Sequence, residues 1–410
     1  MDRQARRPPV RLSPAANYSP IPARGHCAAS RCRVACAAAP GAFLQLLFPA
    51  SMLHRYRRFI LIAALGLLPL LSSAQATEQV RQLAKEGVAL HLVDRYQEAD
   101  AKYQQALKLE PNSQLIKYLM ALNYTQLDRH AEAIPLLQEY IDADPAAAPG
   151  EAYVSLGTSL SRLKKLPEAI KVYEQGIKRH PTHQLLYFNM GQAYLKLGKP
   201  EDAIGAYRQS ARLNPQHPTS ALYLGVATAD LSNRIPAVLE LSRFLLLAPT
   251  HRNAPTAIQH LYRLVGSGVK KTGANEVSLT MNADALKASQ RGRGDENFGD
   301  QDMLLSLMSA GDYTEENRGK TPAVRFAEKM NDLFKSLGTA DGRQSRKGFA
   351  WEFYAPYFAE LQRKGYAETC AYLLRSADSA DEESKAWLAA HAAQVADFQA
   401  WSAAYAWPKG

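Results

Sequence analysis

The sequence predicts an all-α protein: a solenoid of five helical hairpins with a capping helix, followed by a helical carboxy-terminal unit. Three patterns carry this. Prolines 111, 145, 181, 215 and 249 recur at steps of 34, 36, 34 and 34 residues. Small residues Gly87, Ala121, Gly157, Gly191 and Gly225 keep the same steps, as do Ala99, Ala133, Ala169, Ala203 and Ala237. Four residues beyond those alanines stand Tyr103, Leu137, Tyr173, Tyr207 and Leu241. Agreement of five copies at four columns is the mark of a repeat architecture.

Each unit holds two apolar-periodic segments of about 14 residues, a length suited to packed helices. A polar turn such as Leu197-Gly198-Lys199-Pro200-Glu201 joins them. The small column lets the first helix approach its partner closely, the alanine column does the same for the second, and the aromatic or leucine column fills the gap. Proline after each second helix stops it. The solenoid spans residues 77–266, and Thr256 to Val265 reads as the helix that caps its end.

Ahead of the repeats lies a leader. Arg55, Arg57 and Arg58 precede an apolar run from Phe59 to Leu71, and Ser72-Ser73-Ala74-Gln75-Ala76 supplies a small-x-small cleavage pattern. Residues 52–76 are therefore expected to be a secretory signal peptide, removed after Ala76. The apolar run is too short to span a bilayer comfortably, so no stable membrane span remains after signal removal. The expected location is periplasmic or secreted from a bacterium, with a mitochondrial presequence as the alternative. Residues 1–51, rich in Ala, Pro and Arg, read as a non-native or unstructured extension.

Charge and cysteine usage follow that division. The whole chain carries 49 Lys and Arg against 39 Asp and Glu, a net +10. Ten of the arginines fall before residue 77, beside a single acid, Asp2, so the remainder is nearly neutral. That balance argues against a nucleic-acid partner. Cys27, Cys32 and Cys36 lie in the extension, which leaves Cys370 alone in the mature chain and no internal disulfide possible.

After the repeats, residues 267–300 are turn-rich and expected to be a flexible linker. Helical patterns resume at Asp302–Ala310 and Ala323–Leu337 in a carboxy-terminal domain over 301–410. Phe349, Phe353, Tyr357 and Leu361 share one helical face, so 349–377 reads as a decayed helical hairpin turning at Gly365. Ser379-Ala380-Asp381-Glu382 reads as a capping box opening a long helix striped by Trp387, His391, Val395, Phe398, Trp401 and Tyr405, with His391 in the core.

No catalytic or metal constellation emerges, and no cofactor is expected. His183, His217 and His251 recur at one turn position, with His180 beside the first. Successive repeats stand roughly one helix diameter, about 10 Å, apart, too far for one zinc ion, so each is expected to contact local backbone. The acidic stretch Asp295–Asp302 lacks the glycine and the closing Glu of a calcium loop and reads as a solvated loop. Nucleophile elbows and phosphate loops are absent.

The repeat resembles the tetratricopeptide repeat, on stretches such as Tyr187-Phe-Asn-Met-Gly-Gln-Ala-Tyr-Leu-Lys-Leu-Gly-Lys-Pro-Glu-Asp-Ala-Ile-Gly-Ala-Tyr207, closing at Leu213-Asn214-Pro215. Departures are Ala121 for Gly, Thr228 for an aromatic, Asn233 for the turn glycine, and two extra residues near Ala147-Ala148-Pro149. In proteins of this kind the first helices line a concave surface that holds a protein or peptide partner. Carried onto this sequence, that surface comprises Tyr118, Leu122, Thr158, Arg162, Phe188, Gln192 and Lys196. Tyr118 and Phe188 have a second reading, as packing between repeats. Ala84, Val88, Leu119 and Leu122 stand where a clamp for acidic chaperone tails needs Lys and Asn. The resemblance implies an exported scaffold binding a protein or peptide in its groove; the alternative is an enzyme within residues 267–410, with the repeats recruiting substrate.

Overall fold

A computed structural model describes residues 78–273, 276–279, 296–339 and 346–408. The readings of the extension, the signal peptide at 52–76 and Cys27, Cys32 and Cys36 lie outside these residues. So does most of the Arg291–Asp295 stretch's surroundings, from 280 to 295. The chain divides into two compact units, one ending at Arg129 and one beginning at His130. That boundary falls inside the second repeat.

The first unit holds α1 (Glu78–Leu92), α2 (Tyr96–Leu109) and α3 (Gln114–Gln126). Val80, Ala84 and Val88 recur every fourth residue on α1, which puts them on one face. They meet Ala99, Tyr103 and Ala106 of α2, with Ile116 and Leu119 of α3, in a closed apolar core. Tyr103 fills the notch left by Gly87, where an added Cβ would lie 2.4 Å from the ring.

The second unit continues the pattern. It runs through α4 (His130–Ala143), α5 (Gly150–Arg162), α6 (Leu166–Arg179), α7 (Gln184–Lys196), α8 (Pro200–Leu213), α9 (Pro218–Asp230) and α10 (Arg234–Leu247). The capping helix α11 (Ala254–Gly266) starts two residues earlier than its apolar face indicates, with Pro255 in its first turn. Small residues again admit the aromatic column: a Cβ on Gly191 would meet Tyr207 at 2.7 Å, and one on Gly225 would meet Leu241 at 2.8 Å.

One backbone feature recurs with the period of the sequence. Asp94, Asp128, Lys164, Gly198 and Ser232 all adopt positive φ, between 56° and 75°, in the turn between paired helices. Only one of the five is glycine. Ser232, not Asn233, therefore occupies the turn-glycine position of the last repeat. A left-handed residue reverses the chain within a turn too short for other conformations, and the packed helices on either side hold it there.

Beyond α11, β1 (Val269–Lys271) and β2 (Val277–Leu279) pair antiparallel, with Val269 opposite Leu279. They lie against α12 (Gly299–Gly311), so the stretch expected to be a linker contains ordered elements. A short 3-10 turn at Glu315–Asn317 leads to α13 (Pro322–Gly338). A π-turn at Ala350–Tyr354 runs into α14 (Ala355–Arg363), and α15 (Ala367–Arg375) follows a turn at Gly365, φ 80°. Both α14 and α15 pack on α13.

The last segment departs from its sequence reading. Asp381, not Ser379, is the N-cap: it accepts from the Ser384 backbone N–H at 3.0 Å and its hydroxyl at 2.7 Å. The helix then breaks, giving α16 (Glu382–Ala390) and α17 (Ala392–Ala404). His391 is exposed, not core. Its ring stacks on Trp387 at 4.0 Å and its Nδ1 bonds the Trp387 carbonyl at 2.8 Å, which caps α16 where a continuous helix would have passed.

The expected solvated acidic loop is also packed. Glu296 pairs with Arg208 of α8 at 3.0 Å and Asp302 with Arg234 of α10 at 3.1 Å, each at 13% side-chain exposure. These pairs belong to a larger contact. Arg212 of α8 reaches Glu352 at 3.5 Å, Tyr262 of α11 meets Phe326 edge-on, and Gln259 donates to Asp378 at 3.3 Å. The carboxy-terminal helices thus rest on α8, α10 and α11. Every residue from Ile235 to Leu245 of α10 is buried.

Candidate binding surface

Within the second unit the first helices of the hairpins, α5, α7 and α9, are neighbours. Lys196 at the end of α7 donates to Ser161 Oγ of α5 at 3.2 Å, and Phe188 of α7 meets Tyr223 of α9 at 5.9 Å. The carboxy-terminal contacts just described run through second helices and the cap. They leave the first-helix face carrying five of the seven residues expected to line the groove.

Those five differ in what they offer. Thr158 is half-buried, its hydroxyl 3.3 Å from the Tyr173 hydroxyl. Arg162 is exposed at the end of α5 and forms no ion pair or side-chain hydrogen bond among the described residues. Gln192 is half-buried, and its side-chain amide is likewise unengaged among those residues. Lys196 stands one repeat after Arg162. Partial burial of its ammonium end, then the adjacent Arg162 charge, hold it below the ordinary lysine value.

Phe188 is half-buried in an aromatic group with His217 at 5.0 Å, Tyr207 at 5.8 Å and Tyr223 at 5.9 Å. It packs the next repeat and keeps part of its ring open. Tyr118 and Leu122 lie in the first unit, at 2% and 8% exposure, inside its packing. Asn189 and Tyr223, one position beyond the Phe188 column and 34 residues apart, are also half-buried; the Asn189 amide donates to the Leu185 carbonyl at 2.8 Å.

The turn histidines do not converge. His217 caps α9, accepting from the Ser220 N–H at 3.2 Å and meeting its hydroxyl at 2.7 Å; burial pushes the imidazole down to about 4. His251 accepts from the Asn253 N–H at 3.1 Å. His183 departs from the expected backbone contact: its Nε2 lies 3.1 Å from Glu151 Oε1 in the preceding repeat. That hydrogen bond holds Glu151 below the usual carboxylate value against the opposing effect of burial.

A cleft of about 250 Å³ lies elsewhere, lined by Ala229, Ser232, Arg234, Leu264, Ser267, Gly268 and Asp302. Arg234 bonds the carbonyls of Leu264 at 2.7 Å, Val265 at 3.1 Å and Ser267 at 2.9 Å, besides Asp302 and the Ser306 hydroxyl at 2.8 Å. Its donors are spent on the fold. The cleft is a structural joint.

Three comparisons bear on these repeats. The tetratricopeptide repeat family model matches residues 93–148, 154–218 and 188–233. The small glutamine-rich tetratricopeptide repeat-containing protein 2 of Mycosarcoma maydis is 29% identical over 108 residues, which span 26% of this chain and 30% of that relative. Among solved structures, YrrB, a TPR protein with an unusual peptide-binding site, is 20% identical, covering 44% of this chain and 90% of its own at a TM-score of 0.37. MamA from Desulfovibrio magneticus RS-1 is 17% identical, covering 43% and 99% at a TM-score of 0.39.

Proposed function

We propose that this chain, a tetratricopeptide-repeat protein over residues 93–233, is a scaffold that binds an extended protein segment along α5, α7 and α9. The observation that carries the reading is the division of faces. The carboxy-terminal helices rest on α8, α10 and α11, while the first helices keep Arg162 and Lys196 exposed and Gln192 half-buried. An extended segment needs amide partners for its backbone and shallow apolar anchors, and this face offers both. Phe188 with Tyr223 supplies the anchor, Thr158 and Gln192 the polar row, Arg162 and Lys196 a cationic margin.

The reading is non-catalytic. An enzyme in residues 267–410 would gain support from an open cleft holding perturbed acid and base groups, whereas the cleft at Arg234 holds a saturated structural cation. Export belongs to the proposal on the strength of the sequence alone, through Arg55, the Phe59–Leu71 run and Ala74-Gln75-Ala76. No described helix is long and apolar enough to cross a membrane.

The test begins with affinity capture by the full chain and identification of partners. Binding and melting temperature are then measured together for Phe188→Ala, Gln192→Ala and Lys196→Glu. Loss of binding by about tenfold or more, with melting little changed for Gln192→Ala and Lys196→Glu, supports the surface. Unaltered affinity in all three variants refutes it.

A further inference from the structure

The outer face of α10 carries two ionisable residues that the carboxy-terminal helices cover completely. Arg243 is 1% exposed, although the residues at its position in the other repeats, Gln105, Glu139, Gln175 and Gln209, are all exposed. It lies 5.0 Å from the Tyr357 ring and 4.8 Å from the Trp407 ring, and bonds Gln216 Oε1 at 3.1 Å and Ser402 Oγ at 3.2 Å. One turn back, Glu240 is fully buried, and neither carboxyl oxygen has a hydrogen-bond partner. A chain that buries such groups under a separate set of helices has placed surface chemistry inside an interface.

The surroundings of Glu240 are polar but poorly matched to a carboxylate. From α8 come the Arg208 guanidinium, already paired with Glu296, and the Tyr207 hydroxyl; from α9, the Thr228 hydroxyl; from the π-turn, Tyr354. Tyr207 and Thr228 hydroxyls and Arg208 Nε are themselves buried without partners. Further out, Arg212 pairs with Glu352, while Tyr357 and Cys370 face Arg243. Glu296 repels a second negative charge here, and Arg208, paired with Glu296, offsets only part of the cost of burying one.

We propose that Glu240 is a proton-controlled latch: neutral, it lets the carboxy-terminal helices stay docked on α8 and α10; ionised, it releases them. A neutral acid is tolerated in a closed interface, whereas an unpartnered carboxylate must regain water. Burial raises the Glu240 carboxyl to about 8, outweighing the nearby Thr228 hydroxyl and Arg208 charge, which lower it; the Glu296 charge adds slightly to the rise. A carboxyl raised in the docked state favours docking at low pH and loses that contribution as pH climbs through its docked value. Release exposes the outer face of α10, with Arg243, while the helical hairpins remain intact.

All four tryptophans lie in the carboxy-terminal part, 351 in the π-turn, 387 and 401 in α16 and α17 and 407 just beyond α17, and report on it. Tryptophan emission and far-ultraviolet circular dichroism of the full chain are followed together from about pH 6 to about pH 9. The latch requires a red shift in emission centred near the Glu240 value, with the helical signal constant. Glu240→Gln should abolish the shift, and Glu296→Gln should weaken it or move its midpoint to higher pH, because removing the repulsion and freeing Arg208 lets the docked state tolerate an ionised Glu240. A flat wild-type titration overturns the proposal, as does an unchanged transition in Glu240→Gln. So does a transition that takes the helical signal with it, or a Glu240→Gln protein unfolded at about pH 6, since an amide should replace a neutral acid.

Discussion

Gly157 lies directly beneath the ring of Tyr173, so that a Cβ on the glycine would stand 2.4 Å from Tyr173 Cε1. The two residues belong to paired helices of one hairpin, and their contact sets how closely α5 and α6 approach. Gly157→Ala should therefore destabilise the protein by about 1–3 kcal/mol, the usual range for forced overpacking. Gly205→Ala is the control: nothing lies within 4 Å of its added Cβ, and alanine should gain about 0.5–1 kcal/mol on an exposed helix. Urea unfolding of both variants checks the pair, and equal effects would refute the close-approach account.

Lys164 holds φ 62° at a turn where Gly198 serves the equivalent place in the next repeat. A non-glycine residue pays about 1 kcal/mol for the left-handed conformation. Lys164→Gly should thus raise the unfolding free energy by a few tenths to about 1 kcal/mol, the entropy of glycine offsetting part of the gain. Thermal scans of wild type and variant measure it.

His217 predicts an acid sensitivity. Its imidazole is held at about 4 in the folded protein by burial, against an ordinary 6.5. The unfolded chain therefore binds the proton first as pH falls, and stability drops between those values. Above them the contribution is fully present. His217→Asn keeps an acceptor for the Ser220 N–H and removes the titration. Its stability should vary less than that of wild type across this window in chemical denaturation.

Arg243 tests how a buried cation without a carboxylate partner is held. Trp407→Ala removes one of its ring contacts and should cost about 2 kcal/mol, part of it lost packing. Arg243→Met keeps much of the volume without the charge and should be nearly neutral or stabilising. A large loss in Arg243→Met would instead assign the guanidinium hydrogen bonds to Gln216 and Ser402 a dominant role.

The repeats were legible because each column has one physical job that admits few residue types. Glycine at 87, 157 and 191 answers a ring sixteen residues later, and the prolines mark helix ends. The capping helix, α13 and the Gly365 turn were read from the same local rules. Three features escaped them. Asp302 and Glu296 look like loop acids until Arg234 and Arg208, more than sixty residues away, are brought against them. His391 continues an apolar stripe in sequence, yet its own ring ends the helix by bonding the Trp387 carbonyl. The turn residue at 232 was assigned one place late because serine in a left-handed conformation leaves no compositional mark. Of the residues expected to line the groove, Phe188, Gln192 and Lys196 share one helix as their spacing indicates, whereas the burial of Tyr118 depends on packing that position alone does not reveal.

Burial of α10 from Ile235 to Leu245 has a consequence for how this chain can be lengthened. A repeat array grows when a copied unit presents the same surfaces to both neighbours. The last hairpin no longer does, because its outer helix is committed to Asp302, Tyr357 and Ser402 and a duplicate would carry Glu240 and Arg243 into water. A further 34-residue unit copied from 165–198 meets no such obstacle, since α6 presents exposed residues such as Lys171 and Gln175 on its outer side. The chain is thus modular upstream of Pro200 and closed downstream of it, and any graft that changes the number of repeats belongs on the upstream side.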